Sequence, residues 1–222
     1  MIKKWFITGT DTNVGKTIVS IFLLKKAATL GFHSAGYKPV SSGCIHTMYG
    51  LQNSDAILLQ KYSVSTLQYQ EINPYTFYNS IPPNFINCKK NNISFKKLSH
   101  TLQSIQKKAN WILIEGIGGW ATPIFRNITL SEWIKKENIP VMLVIAIKLG
   151  CINHAILTSE SIVKSGLKFA GWFANCAHYE KYFLNYIYTI KQYIKAPFLG
   201  MIPHINNINN INVNNNNILL PE

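Results

Sequence analysis

Residues 9–17 read Gly-Thr-Asp-Thr-Asn-Val-Gly-Lys-Thr and combine the residue types that bind a phosphate chain. Backbone N–H groups in a glycine-rich loop that opens a helix can face phosphate oxygens. Lys16 would place a positive charge on the β- and γ-phosphates, and Thr17 would offer a hydroxyl to Mg²⁺. The segment follows an apolar run and precedes a helical pattern, the context that such a loop requires, although counted from Gly9 it is one residue longer than G-x-x-x-x-G-K-T. It predicts a site for ATP with Mg²⁺, against the alternative of a glycine-rich turn that merely caps a helix.

A second group of residues, Glu115-Gly116-Ile117-Gly118-Gly119, follows the apolar run 111–114. A carboxylate at this position could bind Mg²⁺ opposite Thr17, and the glycines would let the backbone approach a ligand closely. The alternative is a tight turn whose glutamate is only solvated.

Two polar segments lie between residues 38 and 55. Lys38-Pro39-Val40-Ser41-Ser42-Gly43 follows a predicted strand, and an amine there could stabilise charge on a transferring phosphoryl group. An ordinary turn with a solvent-facing lysine is the alternative. Asp55 lies at a predicted helix start, where the helix dipole alone favours a carboxylate. The sequence by itself therefore leaves a metal-binding role for Asp55 open.

The segment from Lys148 to His154 joins the most apolar run to a helix. Free N–H groups at that helix start would suit an anion, whereas the alternative is an ordinary cap. Cys151 has no base placed beside it by the sequence, and we interpret its thiol as a packing residue.

Strand-like and helix-like segments alternate along the chain, which predicts an α/β fold with a doubly wound, mostly parallel sheet flanked by helices. The predicted strands span residues 4–8, 33–38, 111–114, 141–146, 169–175 and 198–202. The predicted helices span residues 16–30, 53–61, 94–108, 131–137, 152–164 and 181–194, and residues 62–93 are predicted to be irregular. Because ligands bind outside the carboxyl ends of such strands, we expect the polar segments to meet at one edge of the sheet.

Length and composition indicate one domain over residues 1–205 and an Asn-rich, low-complexity tail over residues 206–222. The sequence contains no apolar run of about 18 residues, so no membrane span is predicted. Its start lacks the pattern of a secretion signal. The four cysteines are scattered rather than paired as C-x-x-C, as is usual for reduced thiols, and we expect a cytoplasmic protein.

The formal net charge of +13 raises the possibility of nucleic-acid binding. Arg126 is the single arginine, whereas proteins that read bases favour arginine. Lys, Asn, Ile and Tyr, which are all abundant here, share A/T-rich codons. We therefore interpret the charge as compositional drift and expect no nucleic-acid partner.

Four segments in this order resemble the dethiobiotin synthetase family. They are GTDTNVGKT at 9–17, GYKPVSSG at 36–43, EGIGGW at 115–120 and KLGCINHA at 148–155, with weaker matches NSDA at 53–56, NPYTF at 73–77 and AGWFAN at 170–175. The resemblance covers residues 4 to about 203. It implies a P-loop NTPase fold and ATP-dependent ring closure of 7,8-diaminononanoate with CO₂, through a carbamate and a carbamic–phosphoric anhydride, to dethiobiotin, ADP and phosphate.

The resemblance also implies residue roles. Lys16 and Lys38 would be catalytic and would neutralise the transferring phosphoryl group, while Thr17, Asp55 and Glu115 would hold Mg²⁺. Contacts to ATP are implied for Thr12, Asn13, Val14, Gly15, Lys16, Thr17, Glu115, Gly116, Gly118, Asn175, Ile202, Pro203 and His204. Contacts to the diamino acid are implied for Thr12, Ser42, Lys148, Gly150, Cys151, Asn153 and Tyr186. The family further implies a homodimer in which the 148–153 segment and Tyr186 grip the substrate carboxylate from the neighbouring subunit.

Two positions depart from the family pattern. Asn13 stands where relatives often carry an acidic residue, and the region around Asn210 is Asn-rich where relatives have an acidic residue near the ribose. Both departures concern nucleotide selectivity rather than phosphate binding.

Two other kinds of protein share features with this chain. Cobyrinate amide synthetases share the fold class but carry a glutaminase domain, for which 222 residues leave no room. A partition-type ATPase that acts on DNA would suit the positive charge. It would normally have a second lysine early in the phosphate loop, and positions 10–14 contain none.

Overall fold

The computed structural model describes residues 2–85, 93–177, 180–205 and 218–221. The strands are β1 (Lys3–Gly9), β2 (Ser34–Tyr37), β3 (Val40–Ser41), β4 (Ile45–Thr47), β5 (Gly50–Gln52), β6 (Tyr75–Thr76), β7 (Trp111–Glu115), β8 (Pro123–Phe125), β9 (Ile128–Thr129), β10 (Val141–Ala146), β11 (Phe169–Asn175) and β12 (Phe198–Ile202). The helices are α1 (Lys16–Thr29), α2 (Ser54–Tyr62), α3 (Tyr69–Ile72), α4 (Phe95–Gln106), α5 (Leu130–Lys136), α6 (Cys151–Lys164) and α7 (Phe183–Tyr193), and a 3₁₀ turn spans Pro83–Phe85. None of the helices within these ranges is long and apolar enough to cross a membrane.

Six strands form one parallel sheet in the order β12-β11-β10-β1-β7-β2. Strand β1 lies between β10 and β7, with Ile7 beside both Met142 and Glu115. The chain order reverses at β1, which is where a doubly wound sheet opens a crevice for ligands. This arrangement confirms the predicted doubly wound α/β fold.

The central strands are apolar because both faces of the sheet are covered. Every residue of β7 and of β10 is buried, as expected for parallel strands packed between helices. Three fully buried tryptophans, Trp111, Trp133 and Trp172, add the largest side chains to this core. The scaffold that carries the strand ends is therefore tightly packed.

Residues 62–93 contain more regular structure than the sequence predicted. The short helix α3 begins with a capping box, in which the Gln68 side chain accepts from the third helical residue and Glu71 bonds back to the Gln68 backbone. Strand β6 then pairs in parallel with β3, joining Tyr75 to Val40. Local capping stabilises α3, and pairing with a distant strand stabilises β6. Both elements are too short to show an apolar periodicity in the sequence.

The end of the chain packs against the core. Ile218 is only 1% exposed, and the N–H of Leu219 donates to the carbonyl of Leu199 at 2.7 Å. Residues 206–217, which were predicted to be low-complexity tail, lie outside the described residues. The final residues 218–221 therefore belong to the packed body, which corrects the treatment of the whole segment 206–222 as tail.

Candidate functional site

The phosphate loop runs from the end of β1 to the start of α1. Its turn places Asn13 and Gly15 at positive φ, 57° and 92°. A Cβ on Gly15 would lie 1.9 Å from Nδ2 of Asn175, so only glycine fits. The loop geometry therefore depends on the end of β11 as well as on the loop's own sequence.

Lys16 begins α1 and points back over the loop. Its ammonium donates to the carbonyl of Asp11 at 3.0 Å, and the residue is 7% exposed. Burial, with a smaller contribution from the nearby Lys38, lowers the pKa of Lys16 to about 8. A buried ammonium group beside a second lysine is poised to gain stability from an anionic ligand.

Glu115 ends β7 and is completely buried. Its Oε1 accepts from the hydroxyl of Thr17 at 2.8 Å and from Lys38 at 2.6 Å, and its Oε2 accepts from Ser20 at 2.8 Å. Three donors from two elements fix the position of this carboxylate. The alternative of a solvated glutamate in a turn does not apply.

Lys38 is 4% exposed and lies between two carboxylates, since it also contacts Asp55 Oδ2 at 3.0 Å. Burial alone would lower the pKa of Lys38, but Glu115 and Asp55 raise it above its usual value. For Asp55, burial favours a higher pKa, but the pairing with Lys38 outweighs it and lowers the pKa. Lys38 and Asp55 therefore both carry charge at neutral pH, and the alternative of a solvent-facing lysine at position 38 is excluded.

The oxygen atoms around Lys38 suit a small divalent cation. Thr17, Asp55 and Glu115 contribute one hydroxyl and two carboxylates beside the phosphate loop, the hard donor set that Mg²⁺ prefers. Within the described ranges no group of three or more His, Cys, Asp or Glu side chains forms a metal centre. A cation held by two carboxylates, a hydroxyl and the nucleotide itself fits these residues.

The side chains of the phosphate loop, Lys38, Asp55 and Glu115 line one cavity of about 610 Å³. Its lining includes ten of the predicted site residues, which come from four separate segments of the chain. They are Thr12, Lys16, Thr17, Lys38, Ser42, Asp55 and Glu115, with Asn13, Gly15 and Gly118 alongside. Three of the polar segments predicted to meet at one sheet edge thus do so, those at 11–17, 38–42 and 115, whereas Lys148 and Asn175 do not line this cavity.

Two residues that were predicted to contact ATP have a backbone group already bonded within the protein. Gly116 does not line this cavity, and its N–H already donates to the carbonyl of Ile7 at 2.9 Å. Val14 is 1% exposed, and its carbonyl accepts from Asn175 at 2.8 Å. Only the backbone N–H of Val14 could face a phosphate.

A second cavity of about 620 Å³ follows the ends of β11 and β12. Pro203 and His204, both predicted to contact ATP, line it together with Cys176, Phe183 and Met201. Ile202 does not line it. Its side chain is fully buried in the core, and the contact predicted between the segment 202–204 and adenine stays a prediction. Asn175 is 4% exposed, and its Nδ2 donates to the carbonyl of Val14 in the phosphate loop.

The segment predicted to bind the substrate carboxylate lies away from the first cavity. Lys148, Gly150 and Asn153 are exposed at the start of α6, and none of them lines either cavity described above. Cys151 is 2% exposed, burial raises its pKa, and its N–H donates to the carbonyl of Lys148 at 3.0 Å. Its thiol is thus a packing group, as interpreted from the sequence. Tyr186 lies half-buried on α7, which packs against α6.

Sequence reasoning missed several residues of the site. Ser20 holds Glu115 from inside α1, Asn53 caps α2 just before Asp55, and Ser80 lines the cavity opposite Gly43. Ser20 was detectable, because it lies three residues after Thr17 and therefore on the same helix face. Ser80 follows no periodic pattern that would have marked it.

The fold resembles that of known nucleotide-binding proteins. The septum site-determining protein MinD from Pyrococcus horikoshii, solved with Mg-ADP, aligns over 92% of this chain and 82% of its own, with a TM-score of 0.59 and 14% identity. A ParA family ATPase from Chlorobium tepidum aligns over 92% and 85%, with a TM-score of 0.56 and 14% identity. At this identity the likeness concerns the fold alone.

Sequence relatives are much more similar. A family model described as an AAA domain matches residues 3–212. The ATP-dependent dethiobiotin synthetase BioD of Buchnera aphidicola subsp. Acyrthosiphon pisum (strain 5A) is 51% identical over the whole of both chains. The protein named ATP-dependent dethiobiotin synthetase BioD 1 in Escherichia coli (strain K12) is 45% identical over 91% of each chain. This chain therefore belongs to the family of ATP-dependent dethiobiotin synthetases.

Proposed function

We propose that this protein uses ATP to combine 7,8-diaminononanoate with CO₂ and to close the ureido ring of dethiobiotin, releasing ADP and phosphate. Family membership supports the overall reaction. The observation that carries the proposal is the convergence of Lys16, Lys38, Thr17, Asp55 and Glu115 on one cavity beside the phosphate loop.

The chemistry needs little covalent help from the protein. One amine of the substrate adds to CO₂ and loses a proton, giving a carbamate. A carbamate oxygen attacks the γ-phosphorus, and the bond to the β,γ-bridging oxygen breaks as ADP leaves. The second amine then attacks the carbamate carbon and loses a proton, and inorganic phosphate departs as the ring closes.

The residues that line the cavity would act by position and charge. Lys16 and Lys38 bring two ammonium groups to the place where negative charge moves from carbamate to phosphate and to ADP. Lys38 is held between Glu115 and Asp55, so its ammonium cannot swing freely. Thr12 and Ser42 line the same cavity and would orient the diamine or its carbamate.

Thr17, Asp55 and Glu115 would hold Mg²⁺. When bound, this ion neutralises phosphate charge and orients the γ-phosphoryl group. Lys38 occupies the space between the two carboxylates in this structure. Its amine and the cation therefore share the same two anionic partners.

The second cavity would hold the adenine ring. Its lining is largely apolar, with Phe183, Met201 and Pro203 available to contact a planar base. His204, whose Nδ1 bonds the carbonyl of Ala177, closes one side. Asn175 connects this cavity to the phosphate loop through Val14.

We further propose that the active sites are shared in a cytoplasmic homodimer. The extended substrate is roughly 10 Å long from its amines to its carboxylate, from ordinary covalent geometry. The N–H of Cys151 already donates to the carbonyl of Lys148. The next N–H groups in the first turn of α6 would bind that carboxylate from the neighbouring subunit together with Tyr186. Exposed Leu149, Leu157, Leu184 and Tyr188 on or beside α6 and α7 supply apolar surface for the contact.

One assay tests the proposed reaction against its main alternative. ATP hydrolysis is measured with 7,8-diaminononanoate plus bicarbonate, with double-stranded DNA, and with neither, and the organic product is identified by mass spectrometry. The proposal requires diamine-dependent phosphate release and a product with the mass of dethiobiotin. Turnover that responds to DNA and ignores the diamine would instead support the partition-type ATPase.

A further inference from the structure

A buried hydrogen-bond network lies behind the Lys38 backbone. Asn73, which is 3% exposed, stands at its centre. Its Nδ2 donates to the carbonyl of Lys38 at 2.7 Å, and its Oδ1 accepts from the hydroxyls of Ser41 at 2.7 Å and Tyr69 at 2.9 Å. The N–H of Lys38 donates to the carbonyl of Ile72 at 2.8 Å. Both backbone groups of Lys38 are thus held by the turn that ends α3.

The hydroxyl of Tyr69 extends this network to the helix that carries Asp55. It accepts from the backbone N–H of Asn53 at 2.7 Å while it donates to Asn73. The Asn53 side chain caps α2 by accepting from the N–H of Asp55 at 3.1 Å, and its Nδ2 donates to the carbonyl of Ser42 at 3.3 Å. Two of these contacts, from Asn53 to Tyr69 and from Asn53 to Ser42, join different segments of the chain.

The links form a closed circuit. The Lys38 ammonium contacts Asp55, and Asn53 caps the start of the helix that carries Asp55. The N–H of Asn53 donates to the Tyr69 hydroxyl, which in turn donates to Asn73. Asn73 donates to the Lys38 carbonyl and so closes the circuit. The ends of this circuit are the two side chains that meet beside the phosphate loop. A shift of α3 would therefore change the separation between them.

We propose that Tyr69 and Asn73 are positioning residues that set the distance between the Lys38 ammonium and the Asp55 carboxylate, and with it the fit of the cation and the γ-phosphate. The physical reason is that partners behind the metal ligands orient those ligands and tune binding. The inference rests on the proposed function for its kinetic consequences. The coupling of α3 to Asp55 through these hydrogen bonds does not depend on the proposed reaction.

The test uses Tyr69→Phe in the full-length protein. This change removes the hydroxyl that links Asn53 to Asn73 and keeps the aromatic ring. Tyr75→Phe is the matched control, because the Tyr75 hydroxyl also accepts a backbone N–H, that of Ser94 at 2.9 Å, but its ring lies outside the circuit. Asn73→Asp is a second variant that keeps the side-chain shape and removes the donor to Lys38.

Two measurements are made on each variant. The first is steady-state kinetics, with kcat and the Mg²⁺ concentration for half-maximal rate. The second needs no turnover: the rise in Tm that Mg²⁺ produces in the presence of a non-hydrolysable ATP analogue, compared with the analogue alone. Tm without any ligand reports purely structural damage.

We expect Tyr69→Phe and Asn73→Asp to lower kcat or Mg²⁺ affinity by about 10-fold, the usual effect of losing a partner behind a metal ligand. The Mg²⁺-dependent rise in Tm should shrink in parallel, whereas Tyr75→Phe should keep both. Values for Tyr69→Phe that stay within about twofold of wild type, or losses that Tyr75→Phe reproduces, would overturn the inference. If wild type shows no diamine-dependent turnover, the proposed reaction is wrong, and the Mg²⁺-dependent Tm still decides the inference.

Discussion

The Lys38 ammonium lies 2.6 Å from Oε1 of Glu115, although the two residues are 77 positions apart in the chain. The carboxylate is fully buried and the lysine is 4% exposed. Breaking one side of such a buried pair is costly because the remaining charge loses its partner. The pair therefore fixes the relative position of the functional groups that follow β2 and end β7.

Lys16→Gln should abolish most of the turnover while leaving the fold intact. Truncating one partner of a desolvated charge contact typically costs about 2–5 kcal/mol, which corresponds to roughly 30- to 5,000-fold in rate. Diamine-dependent phosphate release measures the loss, and thermal denaturation checks folding. Lys26→Gln, in the last turn of the same helix, is the control and should retain turnover. Near-normal activity in a folded Lys16→Gln protein would contradict the phosphate-loop assignment.

Nucleotide binding should take up protons at mildly alkaline pH. The pKa of Lys16 is about 8 in the free protein because the residue is buried, below its value of 10.5 when exposed. Between these values the unfolded chain binds a proton that the folded chain lacks, so Lys16 destabilises the fold below about pH 8 and this penalty fades as pH rises. Phosphate charge raises the Lys16 pKa again, whereas Lys38 stays charged because its own pKa is raised.

Calorimetry at pH 8.5 in buffers of different ionisation enthalpy measures this uptake. We expect roughly 0.8 proton per nucleotide bound, the fraction of neutral Lys16 at that pH. Lys16→Arg, which stays charged throughout, should show no such uptake. An uptake in wild type that persists unchanged in Lys16→Arg would assign the proton to another group.

Ser20→Ala should destabilise the protein through Glu115. The Ser20 hydroxyl is one of three donors to a carboxylate that has no contact with solvent. A hydrogen bond to a charged group contributes about 1.5–3 kcal/mol. Chemical denaturation of Ser159→Ala provides the comparison, because Ser159 is also a buried helical serine but donates only to the carbonyl of Ile156. Equal decreases in the free energy of unfolding of the two variants would show that the contact with Glu115 adds nothing to stability.

Ile218→Ala should lower Tm although residue 218 follows an Asn-rich segment. Its side chain is 1% exposed and belongs to the main core. Truncating a buried isoleucine costs about 2–5 kcal/mol, and each kcal/mol shifts Tm by roughly 2–4 °C at this chain length. Leu219→Ala, at a neighbouring side chain that is 57% exposed, should change Tm little. If the two variants have the same Tm, the packing of residues 218–221 does not contribute to stability in solution.

Subunit mixing tests the shared active site. Lys16→Gln and Gly150→Trp chains should each be inactive alone, whereas a mixed dimer would have one site with both changes and one with neither. Gly166→Trp is the control for strain, because Gly166 and Gly150 both have positive φ and open space around a Cβ. Activity that returns on mixing supports a carboxylate site across subunits. Mixed dimers that form without any activity would place that site within one chain.

The sequence determined the features that depend on neighbouring residues. Gly9, Gly15, Lys16 and Thr17 identified the phosphate loop because its backbone turn and helix start are local. The apolar runs of β7 and β10 identified a sheet covered on both faces, since strands buried in this way need no polar positions. The same runs predicted the shared edge at which Lys38 and Glu115 meet, whereas Asp55 was assigned to the site only by the family resemblance.

The tertiary structure decided which distant groups touch. The sequence could not pair Lys38 with Glu115, turn Asn175 towards the phosphate loop, or bury Ile202. It also missed α3 and the packing of Ile218, because a four-residue helix and a short apolar segment have no periodicity of their own. Such contacts join residues far apart in the chain, and their distances are fixed only when the whole core packs.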